Sequence, residues 1–397
     1  VSALRERLAG ALGTDALAAP SPEGPPVVTP ATIEAASEAL RLASRDGLRV
    51  LPAGAATHLG ATGGADFVLS ATRLRRVLEH EPEDLVAVVE AGVPLAALDA
   101  RLAAHAQRVA PDPWATGESS VGGAVAANRC GLARRARGTW RDAVLGARVV
   151  HADGRISKTG GRVVKNVAGF DLQRLYVGSR GSLVWIAELS LRLVPRATSA
   201  RTFVQRCPPA VAFQRLLALH RAALAPEALL LAIGDAAADT APAEVAIAVR
   251  FEGRPEAVQA QADTAARVAG AWAEVGDGAW DALRRALEPR AEARLLCIAS
   301  LPTAGAAVHA ALAPAAPYGA IVQFGVGIAH AHLPPEVDLA ALRVRLASCG
   351  ARATCEPPHP APVAELDPVA RALAIATKQA LDPLGVFPAH PDLGGTP

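Results

Sequence analysis

The sequence predicts an α+β protein made of two successive domains, and three observations carry that reading. At 397 residues the chain is long enough to bury two separate cores. Up to Pro195 the apolar stretches are short and are divided by loops of Gly, Ser and Ala. Beyond Pro195 these loops give way to apolar runs alternating with helix-length amphipathic segments, as helices packed on an antiparallel sheet would require.

Residues 1–26 read as an extension, a short helix followed by a connector rich in proline (Pro20, Pro22, Pro25, Pro26). The first domain spans 27–197. Thr29 and Pro30 are expected as N-cap and first residue of a helix that buries Ile33, Ala36, Leu40 and Ala43. A strand at 48–51 runs into the small-residue loop 52–60. Strands follow at 67–69 and 85–90, then an amphipathic helix at 94–105. Ser119, Ser120, Gly122 and Gly123 open a short Ala/Val helix that ends near Asn128; small residues at a helix start form a natural phosphate site. A strand at 143–151 and a turn at Asp153-Gly154 lead into 160–195. That stretch holds a glycine pair, Lys165-Asn166, a turn at Gly169 and a short helix from Asp171. A second small-residue turn (Gly178, Ser179, Gly181) then precedes an apolar strand at 183–193.

The second domain spans 198–365, with strands at 202–206, 228–233, 244–251, 294–301 and 320–329. Its helices are expected at 209–222, 256–269, 279–287, 303–312 and 339–346. The last part, 366–397, holds a helix at 368–381 and a tail.

Composition narrows the function. A net charge of +2 gives nucleic acid little to attract. No apolar run approaches the ~20 residues needed to span a bilayer, and the first residues lack a signal-peptide core, so a cytoplasmic protein is expected. The five cysteines show no CxxC or CxxH spacing, which argues against zinc and iron–sulfur ligation within this chain. Reduced thiols are expected, with a Cys349–Cys355 pair left open. His330 and His332 alternate along a strand and share a face; a metal pair and a plain strand-end role both remain open, and no metal is assigned. The arginines of 129–141 either attract a small carboxylate or are solvated loop residues.

The chain has two asparagines, Asn128 and Asn166, and three lysines, Lys158, Lys165 and Lys378. A Lys-Asn pair between glycines in such a chain points to a chemical requirement, read here as a cofactor site. The loop 53–59 fits neither the Rossmann nor the P-loop pattern. It is one of three small-residue segments (52–60, 117–128, 160–182) separated by strands, which together could surround a dinucleotide pyrophosphate.

These segments resemble the FAD-binding domain of the vanillyl-alcohol-oxidase/PCMH flavoprotein superfamily, and within it the FAD-binding subunits of bacterial glycolate oxidase. Pro52-Ala-Gly-Ala-Ala-Thr-His-Leu resembles P-x-G-x-G-T-S-L, and Ser120-Val-Gly-Gly-Ala-Val-Ala-Ala-Asn resembles S/T-I-G-G-x-V-A-x-N. Gly161-Arg-Val-Val-Lys-Asn-Val-Ala-Gly-Phe-Asp-Leu, with Gly178-Ser-Arg-Gly-Ser-Leu, resembles G-x-x-x-K-N-x-x-G-Y-D-L and G-S-x-G-T-L-G. Lys378-Gln-Ala-Leu-Asp-Pro-Leu-Gly-Val-Phe resembles the C-terminal K-x-x-L-D-P-x-G-x-F. The chain departs from the pattern at Ala56 and His58, which replace a glycine and a serine, and at Phe170, which replaces a tyrosine. It departs again at Val184, which replaces a glycine and is expected to crowd the adenine half of FAD, and after Phe387, where Asn-Pro-Gly reads Pro-Ala-His.

The resemblance implies a two-lobed PCMH-type FAD-binding domain, an α+β cap domain with an antiparallel sheet, and a C-terminal helix returning to the first domain. It implies non-covalent FAD held by Pro52, Gly54, Ala55, Ala56, Thr57, His58, Leu59, Ser119, Ser120, Gly122, Gly123, Asn128, Lys165, Asn166, Gly181 and Ile186. It further implies oxidation of a small 2-hydroxy acid such as glycolate, with partner flavoprotein and iron–sulfur subunits passing electrons to a quinone, and contact with a membrane only through those partners. No residue is assigned as the substrate base. Two alternatives stay open: an accessory FAD-binding subunit whose partner holds the substrate, and a flavin-free subunit that serves assembly alone.

Overall fold

A computed structural model of the chain describes residues 2–19, 24–56, 64–113, 119–163, 169–237, 244–290, 292–315, 317–356 and 367–390. It divides into two compact units. The first comprises Val1–Arg129, Thr139–Pro195 and Pro360–Pro397; the second comprises Cys130–Gly138 and Arg196–His359.

The first unit begins with helix α1 (Ser2–Leu12) and strand β1 (Val27–Val28). Helix α2 (Ile33–Asp46) buries Ile33, Ala36, Ala39, Leu40 and Ala43, a three- and four-residue spacing that keeps one face apolar. Its N-cap is Thr32, whose hydroxyl accepts from the Ala35 amide at 3.1 Å. The expected cap, Thr29, instead donates its amide to Ala16 O at 2.7 Å, so both threonines of T-P-A-T satisfy backbone groups but only the second caps the helix. Gly47, at φ 65°, ends α2 in the left-handed region where glycine carries no Cβ penalty. Strands β2 (Val50–Ala53) and β3 (Phe67–Ser70) join β1 in a parallel sheet of order β1-β3-β2.

A second, antiparallel sheet collects β4 (Val77–Glu81), β5 (Val86–Glu90), β6 (Gln107–Val109), β7 (Val144–Val150), β8 (Ile156–Gly160) and β9 (Trp185–Pro195) in the order β4-β5-β9-β7-β8, with β6 also paired to β9. Helix α3 (Leu95–Ala103) buries Leu95, Leu98 and Leu102 beside it. Short helices α4 (Val121–Ala126), α5 (Arg134–Arg137), α6 (Trp140–Ala143) and α7 (Leu172–Tyr176) lie in the connections, and α5 groups with the second unit.

The second unit is an eight-stranded antiparallel sheet with helices α8 (Pro209–Arg221), α9 (Pro255–Ala269), α10 (Asp277–Arg285), α11 (Gly305–Leu312) and α12 (Leu339–Ser348). Its strands are β10 (Ser199–Cys207), β11 (Ala228–Gly234), β12 (Val245–Gly253), β13 (Ala273–Val275), β14 (Arg294–Ala299), β15 (Gly319–Gln323), β16 (Ile328–Leu333) and β17 (Arg352–Glu356), in the order β13-β10-β12-β11-β15-β16-β14-β17. The single strand expected at 320–329 is two strands of a hairpin. Gly325 (φ 76°) and Gly327 (φ 78°) turn the chain, and a Cβ on Gly327 would overlap Ser300 O. Among the described residues no disulfide joins the cysteines. The chain returns to the first unit in helix α13 (Pro368–Leu381), after which the Val50 amide donates to Val386 O at 2.7 Å.

Candidate functional site

Three small-residue segments of the first unit close on one another. Strand β2 delivers Pro52 and Ala53 and passes into Gly54, Ala55 and Ala56. Gly54 lies against the Ser120 side chain so closely that a Cβ there would overlap its Oγ. Gly181, at φ 77°, lies against Pro52, whose Cβ would stand 2.9 Å from a Cβ at that position. The Gly178 amide donates to Val125 O at 3.1 Å and the Arg180 amide to Ala126 O at 2.8 Å, tying the turn 178–182 to the end of α4. The segments 52–56, 119–128 and 178–182 therefore share one locus. Thr57, His58, Leu59, Lys165 and Asn166 lie outside the described residues.

The start of α4 corrects one expectation. Its first amides are engaged within the protein: Val121 N donates to Val93 O at 2.9 Å, Gly122 N to Ala91 O at 2.8 Å, and Gly123 N to Ser120 Oγ at 3.2 Å. A helix start whose amides are already bonded is a poor phosphate cradle. Gly122 is small for a packing reason, since a Cβ would lie 2.6 Å from Ala91 Cβ. Ser119 O accepts from Leu95 N at 2.8 Å, holding the segment to α3. Asn128 follows the C-cap of α4 at φ 50°, a conformation that asparagine tolerates better than most residues. Ala56 holds φ 61° at the position where the resembling motif has glycine, so the glycine-like backbone persists without the glycine. Ile186 is buried in β9 opposite Val149, and Val184 and Trp185 are buried beside it, with Trp185 Nε1 donating to Leu69 O at 3.0 Å.

The C-terminal segment forms a buried charge knot that the sequence marked only as a motif. Asp382, with no exposed side-chain surface, accepts from Val386 N at 2.9 Å and Phe387 N at 2.8 Å, and pairs with Lys378. Lys378 Nζ also donates to Ser182 O at 2.8 Å and Phe387 O at 2.9 Å. Ser182 closes the 178–182 turn, so this lysine anchors the end of the chain directly onto the small-residue locus. Burial lowers the Lys378 pKa, and Asp382 opposes that effect.

In the second unit the arginines of 129–141 are not uniformly solvated. Arg137, whose side chain is 7% exposed, pairs with Glu227 and Glu252. Arg250 pairs with Glu252 at 2.9 Å, donates to Thr202 Oγ1 at 2.9 Å and lies 4.7 Å from the Trp280 ring centroid. Arg135 Nη1 meets His220 Nδ1 at 3.0 Å. In the first unit Arg129 is buried, and its carbonyl accepts from Trp140 Nε1 at 2.7 Å. His330 and His332 do share a face of the sheet. His332 Nε2 donates to Ala286 O at 3.0 Å, and burial lowers its pKa. Among the described residues no three His, Cys, Asp or Glu side chains gather as a metal centre would require.

Comparison with known proteins bears on the first unit. Residues 25–160 match the family described as FAD binding domain. This chain carries an FAD-binding domain. Over 183 residues it is 34% identical to the glycolate oxidase subunit GlcD of Bacillus subtilis, covering 45% of this chain and 38% of that protein. Over 172 residues it is 36% identical to a D-lactate dehydrogenase of Archaeoglobus fulgidus, covering 43% and 39%. Over 123 residues it is 39% identical to the glycolate oxidase subunit GlcE of Escherichia coli, covering 31% and 35%. The chain spans less than half the length of each of these relatives. Among solved structures, 4-ethylphenol oxidase from Gulosibacter chungangensis superposes with a TM-score of 0.71 at 15% identity, over 99% of this chain and 97% of that one. Alkyldihydroxyacetonephosphate synthase superposes at 0.66 and 14% identity, over 92% and 76%. At such identities the likeness is one of fold, an α+β fold of the PCMH type.

The first unit's small-residue segments leave room and a polar group for a bound dinucleotide. In the turn 178–182 Ser179 Oγ is buried and has no hydrogen-bond partner; an orphaned buried hydroxyl calls for a ligand or an ordered water. Gly178 and Gly181 hold positive φ on either side of it in the chain, as Ala56 does after β2, which keeps the backbone open to close approach. Sequence reasoning missed Ser179, Lys378 and Asp382 as contributors. Their signal lay in the turn G-S-x-G and the spacing K-x-x-L-D.

Proposed function

We propose that this chain is the FAD-binding part of an oxidoreductase acting on a small 2-hydroxy acid, working as one subunit of a complex. The convergence in the first unit of 52–56 and 119–128, both inside the matched domain, with the turn 178–182 that follows it carries the reading. Pro52, Gly54, Ala55, Ala56, Ser119, Ser120, Gly122, Gly123, Asn128, Gly181 and Ile186 would wall the cofactor, with Thr57, His58, Leu59, Lys165 and Asn166 completing the set. Gly122 acts there by keeping α4 tight against Ala91 rather than through its amide. When bound, FAD supplies two-electron redox chemistry; the protein contributes binding, orientation and exclusion of water.

The relatives' printed names, glycolate oxidase and D-lactate dehydrogenase, support a 2-hydroxy acid as the substrate class. Two of them are named as subunits, which supports a partner flavoprotein. The cysteine spacing supports an iron–sulfur partner that carries electrons onward to a quinone. No helix among the described residues is long and apolar enough to cross a membrane; in this reading membrane contact is peripheral and made through partners, at the cytoplasmic face.

The test is purification followed by a visible absorption spectrum and turnover of glycolate and D-lactate with a dye acceptor, for the chain alone and with its co-expressed neighbours. Flavin that acid precipitation releases, and turnover that rises with the partners, are expected. Colourless protein, or flavin with no turnover of either acid in any combination, would overturn the proposal.

A further inference from the structure

Helices α2 and α13 of the first unit are both 14 residues long and both carry an apolar stripe, yet they are used differently. α2 turns Ile33, Ala36, Ala39, Leu40 and Ala43 into the core, whereas α13 buries none of its residues. At 3.6 residues per turn, Val369, Ala372, Leu373, Ala376 and Ala380 fall within about 100° of the α13 circumference. All five are exposed, Val369 to 76% and Leu373 to 69%. The side that meets the unit is the opposite one, where Lys378 bonds Ser182 O and Phe387 O and where Ala374, Ile375 and Leu381 are partly covered.

A single exposed leucine needs no explanation. A stripe in helical register with no charged residue along it is the form of a helix-pairing seam. This one is also uneven along its length. Its bulky members, Val369 and Leu373, lie in the N-terminal half, while the C-terminal half offers only Ala376 and Ala380. An antiparallel second helix of the same sequence would present the reverse profile, which makes the stripe its own complement.

We propose that α13 pairs with α13 of a second copy of this chain, antiparallel about a two-fold axis passing between positions 374 and 375. That axis sets Leu373 of one copy over Ala376 of the other, and Val369 over Ala380, in both directions at once. The alanines let the helix axes approach to the short end of the usual 8–10 Å range. The antiparallel sense brings the positive N-terminal end of each helix beside the negative C-terminal end of the other. Area selects this occupant. A helix of 14 residues is about 21 Å long and about 10–12 Å across, so its face offers roughly 200–250 Å² per copy. A stably held subunit needs about 800 Å² per partner. The stripe therefore matches one further helix in a weak, reversible dimer, with a Kd on the order of 0.1 mM.

The test is sedimentation velocity of the full chain from about 5 to 500 µM, a span that brackets such a Kd. The wild type should pass from monomer to dimer across it. Leu373→Glu should stay monomeric throughout with an unchanged Tm, since the side chain it replaces is exposed. Ala376→Leu alone should weaken the dimer by setting leucine against leucine, and Leu373→Ala with Ala376→Leu should restore it, because the swap keeps large over small across the axis. A monomer at every concentration, a dimer indifferent to Leu373→Glu, or a double variant no better than Ala376→Leu would each overturn the inference. So would a stripe that is covered only when neighbouring subunits are co-expressed, seen as their loss from the purified complex on Leu373→Glu; that result would give the face to a different protein.

Discussion

Replacing Lys378 by methionine tests whether the C-terminal charge knot holds the proposed flavin locus together. The substitution keeps the aliphatic stem and removes three donated hydrogen bonds, to Asp382, Ser182 O and Phe387 O. Asp382 is left fully buried without its cation, and breaking such a pair costs about 3–5 kcal/mol. Because Asp382 still accepts from Val386 N and Phe387 N, the loss should fall near the low end, about 3 kcal/mol. For a unit of this size that corresponds to a fall in Tm of roughly 6–12 °C. The released Ser182 carbonyl belongs to the turn that packs on Pro52, so flavin should be lost at a lower temperature than bulk unfolding. Flavin fluorescence and tryptophan fluorescence, followed together on heating, separate the two events. The control is Lys158→Met, an exposed lysine of β8. If Lys378→Met matched that control in both signals, the knot would have no anchoring role.

Asn128→Gly should be nearly neutral and Asn128→Ala should cost about 1 kcal/mol in chemical denaturation, because φ 50° is a conformational demand; equal loss of flavin in both variants would instead mark a side-chain contact. Burial holds the pKa of His151, His220, His309 and His332 below the ordinary value of 6.5. The unfolded chain therefore takes up protons first as pH falls, and stability should decline from about pH 7 toward pH 5 and then level off below the folded values. Tm measured across that range checks the slope, which His332→Gln should flatten. Arg137→Met removes the cation that Glu227 and Glu252 share in a buried site; with Arg250 still paired to Glu252, it should cost about 3 kcal/mol, the low end of the range for a broken buried pair, seen as faster proteolysis within 196–359; unchanged proteolysis would mean that water reaches both carboxylates.

Much of the fold could be read from the sequence wherever local chemistry decides it. The helix expected at 368–381 is α13 to the residue, and the one at 209–222 differs from α8 by a single position. The convergence of the small-residue segments was legible for the same reason, since close approach between segments demands small residues, and Gly54 and Gly181 meet that demand. The misreadings share a different cause. The burial of Arg137 depends on Glu252, 115 positions further along, and no periodicity encodes such a partner. The hairpin inside 320–329 needed Gly325 and Gly327 to be read as turn formers within an apolar run. Gly122 was small on account of Ala91, a neighbour that only the fold supplies.

The grouping of Cys130–Gly138 with the second unit has a consequence for how the protein is made. Arg137 leaves the ribosome 115 residues ahead of Glu252, an interval of roughly 6–23 s at ordinary elongation rates. Throughout that time the chain carries a guanidinium whose set of acidic partners is incomplete, flanked on both sides by sequence already free to condense into the first unit. The second unit is thus not a cassette that can be cut out at 196–359 and expressed by itself, because an essential counter-charge for its buried acids would stay behind in the other half of the gene. Circular permutants and fusions built on this chain should keep 130–138 upstream and uncleaved, and a nick there would be expected to unravel a unit that lies almost entirely elsewhere in the sequence.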